Sequence, residues 1–134
     1  MAQVVLTNAV ITVAGSDLSS LANSVTLNYE IDSVEATGFG QNHNFVGGLQ
    51  NNSIEVSFMQ DFAATKTEAT IFPVVGTQTT VTIKAVNAAT STTNPLYTIS
   101  GTYLGAHTPV AAGVGELAMS SLTFNGGTLV KTTA

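Results

Sequence analysis

NSIEVSFMQDFAATKTEATIFPVVG, residues 52–76, is where the hydrophobic pattern changes from period two to a helical spacing and back. Ile54, Val56 and Phe58 alternate with Ser53, Glu55 and Ser57, the signature of a strand with one buried face. Asp61 is placed to cap a following helix, because its carboxylate can accept from the free amides of a first turn. Phe62, Ala69 and Phe72 recur at helical spacing, with Thr65 on the same face. Pro73 ends that helix, since the residue before a proline is driven from the helical region. Gly76 turns the chain into the next strand. The spacing therefore predicts one short helix over residues 62–72, packed by Asp61, Phe62, Ala69, Phe72 and Pro73. It is too short to stand alone in water, so its aromatic face must lie on a sheet.

Outward from this stretch the chain reads as strands. Residues 4–14 form one, with a break at Asn8. Residues 25–32 alternate most regularly, with Val25, Leu27, Tyr29 and Ile31 on one face and Thr26, Asn28, Glu30 and Asp32 on the other. The alternation slips at Ser33, which predicts a bulge or bend. Residues 38–51, GFGQNHNFVGGLQN, are Gly- and Asn-rich and form the longest polar connection. Connections of this length in compact domains are functional or mobile. Further strands follow at 79–86, 96–104 and 117–124, then Gly126-Gly127 and a short tail. The fold class expected is mainly β: one domain over 1–134, an antiparallel β-sandwich or rolled sheet with one flanking helix.

Composition narrows the function. Only 8% of the 134 residues are charged, against roughly 25% in an average domain. Three lysines, no arginine and eight acids give a net charge of -5. Phosphate-gripping proteins need clustered cations, which this chain lacks. A surface of neutral Thr, Ser, Asn and Gln is cheap to desolvate, which suits a protein covered largely by copies of itself. The first residues lack the basic region of a secretion signal. The longest apolar runs fall well short of the ~20 residues of a membrane helix, so no membrane partner is expected. There is no cysteine, hence no disulfide framework and no thiolate metal site.

The residues that could carry chemistry are scattered. His43 and His107 lie in separate loops and show no metal-ligand spacing; each reads as a solvated side chain. Gly113-Val114-Gly115 opens no phosphate-binding helix, and no nucleophile elbow is present. No catalytic residue, metal or cofactor is assigned, and the chain is read as a non-enzyme. Glu30, Asp32 and Glu55 are instead placed on the polar faces of two neighbouring strands. One sheet face would then carry acids without bases, a wall that repels phosphate.

The order GGLQNNSIEVSFMQDF, FPVVGT and NPLYTISGTYLGAHTPVAAGVGELAMSSLTF, preceded by NSVTLNYEIDSVEATGFG, resembles tail tube proteins of long, non-contractile-tailed bacteriophages. The resemblance runs from about Asn23 to Phe124. It implies a β-sandwich with one helix, subunits in hexameric rings that stack into a tube, and an acidic bore through which DNA passes without sticking. It implies, as partners, copies of the chain itself, a tape measure and other tail proteins. It also implies residence in the virion tail after synthesis in the host bacterial cytoplasm. The inter-ring contact would fall on Asn42, His43, Asn44, Phe45, Val46, Gly47 and Gly48, within the 38–51 connection. The family pattern has a basic or aromatic residue after the Gly-Gly pair; here Gln50 and Asn51 stand there. The competing readings are a capsid decoration or tail terminator protein and a carbohydrate-binding β module. The last lacks aromatic platforms, with no tryptophan and three tyrosines.

Overall fold

Strand β1 (Val10–Val13) folds back on β2 (Ser16–Asp17). The turn places Ala14 and Gly15 both at positive φ, 52° and 85°, as a two-residue hairpin turn of the strand-matching hand requires. The chain is seen in a computed structural model that describes residues 3–133. A short 3-10 turn precedes β3 (Ala22–Asn28), which ends before β4 (Ile31–Glu35) and β5 (Phe45–Gln50). Then come β6 (Ser53–Met59), helix α1 (Thr67–Ile71) with a 3-10 turn over Phe72–Val74, and β7 (Gln78–Lys84). Strands β8 (Leu96–Leu104), β9 (Met119–Asn125) and β10 (Thr128–Thr132) complete the described chain.

The main sheet runs β2-β1-β7-β8-β9-β6-β3, and all its pairings are antiparallel. Strand β8 is the corner. Leu96–Ser100 pair with β10, whereas only Tyr103 and Leu104 pair with β9. One edge of the long strand pairs with β7 from Leu96 to Tyr103, while its other edge meets β10 at its beginning and β9 at its end, where the sheet turns. Apolar side chains of the two halves meet inside. Ile11, Val13, Val81, Ile83 and Ile99 come from β1, β7 and β8; Ile54, Val56, Phe58, Leu122 and Phe124 come from β6 and β9. Burying each stabilises by about 1.5–3 kcal/mol. The fold is the mainly β, antiparallel, one-helix architecture read from the sequence.

Several boundaries differ, each for a local reason. The helix begins at Thr67, not at residue 62. Asp61 does not cap it; its carboxylate accepts from the Ala63 amide at 2.9 Å, closing a tight turn. Thr65 then takes a left-handed φ of 62°, a costly conformation for a β-branched residue. This delays the helix by one turn and rotates its face. Thr67, Thr70, Ile71 and Val74 point inward at i, i+3, i+4 and i+7. Phe62, Ala69 and Phe72 are therefore outside, with the phenylalanines 68% and 63% exposed. Pro73 sits within the 3-10 turn, and Phe72 before it stays helical. What Pro73 removes is a donor; the chain becomes extended only at Val75. The strand expected over 25–32 breaks after Asn28, and the tail after Gly127 is a paired strand, β10.

Candidate assembly surfaces

The connection over 38–51 is not a loop throughout. Strands β4 and β5 pair with each other alone, in a two-stranded sheet separate from the main one. The register joins Ser33 to Gly47, Val34 to Val46 and Glu35 to Phe45, with a bulge between Ile31 and Ser33. Gly48 lies at the bulge, where a Cβ would come within 3.0 Å of the Val34 Cγ2. Every residue from Asn28 to Asn51 is exposed. This arm carries Ile31, Val34, Phe39, Phe45, Val46 and Leu49, all large and apolar. An isolated two-stranded hairpin is marginal in water, and exposed apolar strips of this kind mark contact surfaces. Asn42, His43 and Asn44 fall at the tip, and Phe45–Gly48 on β5.

Polar contacts hold the tip in shape. The Glu35 carboxylate lies 2.5 Å from the His43 Nδ1 and accepts from the Thr37 hydroxyl at 2.8 Å. The Thr37 oxygen accepts from the Asn44 amide at 3.0 Å. His43 first, then Thr37, holds the Glu35 carboxyl below its ordinary value of 4.5. At the base, Asn52 is 1% exposed. Its Oδ1 accepts from the Glu30 amide at 3.2 Å, and its Nδ2 donates to the Gln50 side chain at 2.8 Å and the Gly127 carbonyl at 3.1 Å. One side chain thus ties both arm strands to the β9–β10 turn. That turn needs glycine: Gly127 has φ 91°, and a Cβ there would lie 2.7 Å from the Ser100 carbonyl. Sequence reading missed Asn52; its one signal is an amide between two strands where a loop was expected.

A second surface lies at the opposite end of β6. Ser53 pairs with Asn125 at the arm's base and Met59 pairs with Met119 at the far end, about 20 Å away at the rise of a strand. Beyond Met59 the Gln60 amide donates to the Ala118 carbonyl at 3.0 Å, and the Gln60 side chain to the Pro109 carbonyl at 2.6 Å. His107, expected to be solvated, is instead buried, its side chain 3% exposed. Its Nε2 meets Glu68 of α1 at 2.9 Å and its Nδ1 meets the Ser120 hydroxyl at 2.9 Å. A neutral imidazole satisfies both neighbours, donating from one nitrogen and accepting at the other. Serine, histidine and carboxylate stand in sequence, but Ser120 is fully buried and no substrate can reach it. The trio is a staple. It holds the 105–118 loop against the helix and β9; Val110, Val114 and Leu117 of that loop are exposed, as is Phe62 in the turn before the helix.

The third surface is the outer face of β3, β6 and β9. Pairing sets Ser24, Ser57 and Ser121 in one row, Thr26, Glu55 and Thr123 in the next, and Asn28, Ser53 and Asn125 in the last. Eight neutral polar side chains surround one carboxylate, Glu55. Glu30 and Asp32, expected from the sequence to share the polar face of one strand, do not: β3 ends at Asn28, and Asp32 lies on β4. Hydrogen bonds to Asn51 and Asn52 divert Glu30 from the ladder, and Asp32 belongs to the arm. Among the described residues no cluster of three His, Asp or Glu could hold a metal ion.

No protein-family model matches the chain, and no curated protein matches it. Solved structures do. A chain of the sheath–tube complex of the extracellular contractile injection system PVC, in its extended state, is 14% identical and aligns with a TM-score of 0.71, covering 98% of this chain and 93% of that one. A chain of the anti-feeding prophage tube terminating cap gives 15% identity and a TM-score of 0.72, covering 100% of this chain and 93% of that one. A chain of a gene transfer agent tail with C6 symmetry gives 14% identity and a TM-score of 0.61, covering 95% of this chain and 96% of that one. The fold is that of chains in phage-like tails. It spans contractile injection systems and gene transfer agents, and does not single out the non-contractile phage family.

Proposed function

We propose that this chain is a non-enzymatic structural subunit of a phage-like tail, which assembles with its own copies into rings that stack as a tube. The observation that carries this is the arm: residues 28–51 project from a stable body with every residue exposed and six large apolar side chains unburied. Such a segment gains its stability from a neighbour. The tube-like fold, covering nearly the whole chain, supports the same reading. Six-fold rings agree with the symmetry of one of the similar tails. Residence in a virion tail, contact with a tape measure and other tail proteins, and synthesis in a bacterial cytoplasm belong to the same proposal. In the tube, Glu55 on its hydroxyl-rich face is placed to line the bore. With no cation in that grid, a polyanion such as DNA finds no phosphate site on it.

Light scattering over a range of concentrations, with negative-stain images of the same samples, tests this proposal. Stacked rings or tubes with a central hole are expected. Replacing residues 36–44 by a two-residue turn should leave a folded chain that does not stack. A tip-less chain that stacks normally would overturn the arm's role. A closed oligomer that never polymerises would transfer the chain to the ring-forming terminator or decoration class.

A further inference from the structure

We propose that Asn125 is a site of spontaneous deamidation, in which its carboxamide closes on the Gly126 backbone nitrogen, and that the hydrogen bond from Gly126 to Asn52 is the gate on that reaction. The chemistry is the same whether or not the chain builds a tube. Among the asparagines of the chain, Asn125 alone is followed by glycine. Glycine has no side chain to shield its nitrogen or to hinder the rotation that brings it onto the carboxamide carbon. Both reacting groups are open to water. Asn125 is exposed at the end of β9. Beside Gly126, at φ 76°, the space that a Cβ would take is empty.

Hydrogen bonding, not burial, restrains the pair. The Gly126 amide donates to the Asn52 carbonyl at 2.8 Å. The Asn125 carbonyl accepts from the Thr102 hydroxyl at 3.3 Å, and Asn125 pairs with Ser53 of β6 and Tyr103 of β8. The nitrogen attacks only after it loses its proton, and Asn52 holds that proton. The reaction therefore waits on a local opening of the β9–β10 turn. On opening, solvent base takes the Gly126 proton, and the nitrogen bonds to the side-chain carbonyl carbon of Asn125. The bond from that carbon to the side-chain nitrogen breaks, and the nitrogen leaves with a proton as ammonia. Water then opens the cyclic imide at either carbonyl, giving aspartate or isoaspartate. One water enters, one ammonia leaves, and nothing is oxidised or reduced.

Either product adds a carboxylate to the hydroxyl-rich face, in the row next to Glu55. The isoaspartate also inserts a methylene between residue 125 and Gly126. The Gly126 amide and the Gly127 carbonyl then no longer match Asn52, the residue that ties the arm to this turn. A slow, irreversible change at one exposed side chain thus reaches the base of the arm.

To test this, the full chain is incubated at mildly alkaline pH, folded and in urea, and peptide mapping by mass spectrometry follows every asparagine. In urea, residue 125 should convert first. In the folded chain its conversion should be about tenfold slower or more, because only the opened turn reacts. Small additions of urea, below the unfolding transition, should raise conversion at residue 125 in step with hydrogen exchange of the Gly126 amide. Another asparagine converting first in urea would overturn the site. Equal rates in the folded and unfolded chain would overturn the gate, as would a rate that rises only with global unfolding.

Discussion

The arm and the body of this chain are both built from antiparallel hairpins, yet opposite things hold them. In the body, β6 carries Ile54, Val56 and Phe58 into a core shared with four other strands and the helix. In the arm, Phe45, Val46 and Leu49 lie on a strand of similar length and remain exposed. Apolar content does not distinguish the two; the second layer does. A sheet face buries only what another layer covers, and the arm has left the layer behind. The same contrast recurs in the two histidine–glutamate pairs. His43 and Glu35 meet in water at the arm's tip, and their side chains are 81% and 45% exposed. His107 and Glu68 meet inside the body, where the histidine has almost no access to water.

Matched substitutions sharpen the comparison. Phe124→Ala, at a fully buried site of the body, should cost about 3–5 kcal/mol in urea unfolding. Phe45→Ala in the arm should leave the unfolding midpoint unchanged and weaken self-association. Equal losses of stability at the two sites would erase the distinction. At the boundary, Asn52→Ala strands the Glu30 amide and the Gly127 carbonyl, with an expected loss of about 1–3 kcal/mol. Because the same amide sets the arm's exit, amide chemical shifts along β4 and β5 should move as well.

The histidines come next. His107→Ala leaves the buried Ser120 hydroxyl without its partner and Glu68 with Gln60 alone, and about 1–3 kcal/mol of stability should be lost. His43→Ala should leave melting unchanged, as exposed pairs contribute little. The smallest effect is in pH. Glu35 has its carboxyl lowered by His43 and Thr37, so the tip contact is present above 4.5 and is lost as pH falls through the lower folded value. An NMR titration of the Glu35 carboxyl should show a midpoint below 4.5 that rises in the His43→Ala chain.

What the sequence made legible follows from the same contrast. Where one face is buried, period-two alternation marks the strand closely, as in β6 and β8. Where nothing is buried, the pattern carries no constraint, and β5 hid inside GFGQNHNFVGGLQN. The helix is legible but its buried face is not, because Phe62 and Phe72 give the stronger apolar spacing while Thr67 and Thr70 are the residues that face inward. The tight turn at Asp61 and the left-handed Thr65 decide the phase, and neither has a hydrophobic signature. The acid pattern failed for a related reason: a strand break at Tyr29 and Glu30 is set by Asn52, more than twenty residues later. His107 gave no sign of burial, since its partners Glu68 and Ser120 lie 39 and 13 positions away. The chain-wide resemblance to tail tube proteins pointed to a fold that the chain shares with chains of contractile injection systems and a gene transfer agent, not to the non-contractile phages in particular.

Hydrogen exchange, followed in the free subunit and in the assembled sample, tests the division of labour most directly. The arm amides of β4 and β5 should exchange fast in the free subunit and become protected on assembly. The amides of β6 to β9 should be protected equally in both. Arm amides that are as slow in the free subunit as those of β6, or that stay fast once tubes have formed, would contradict the account.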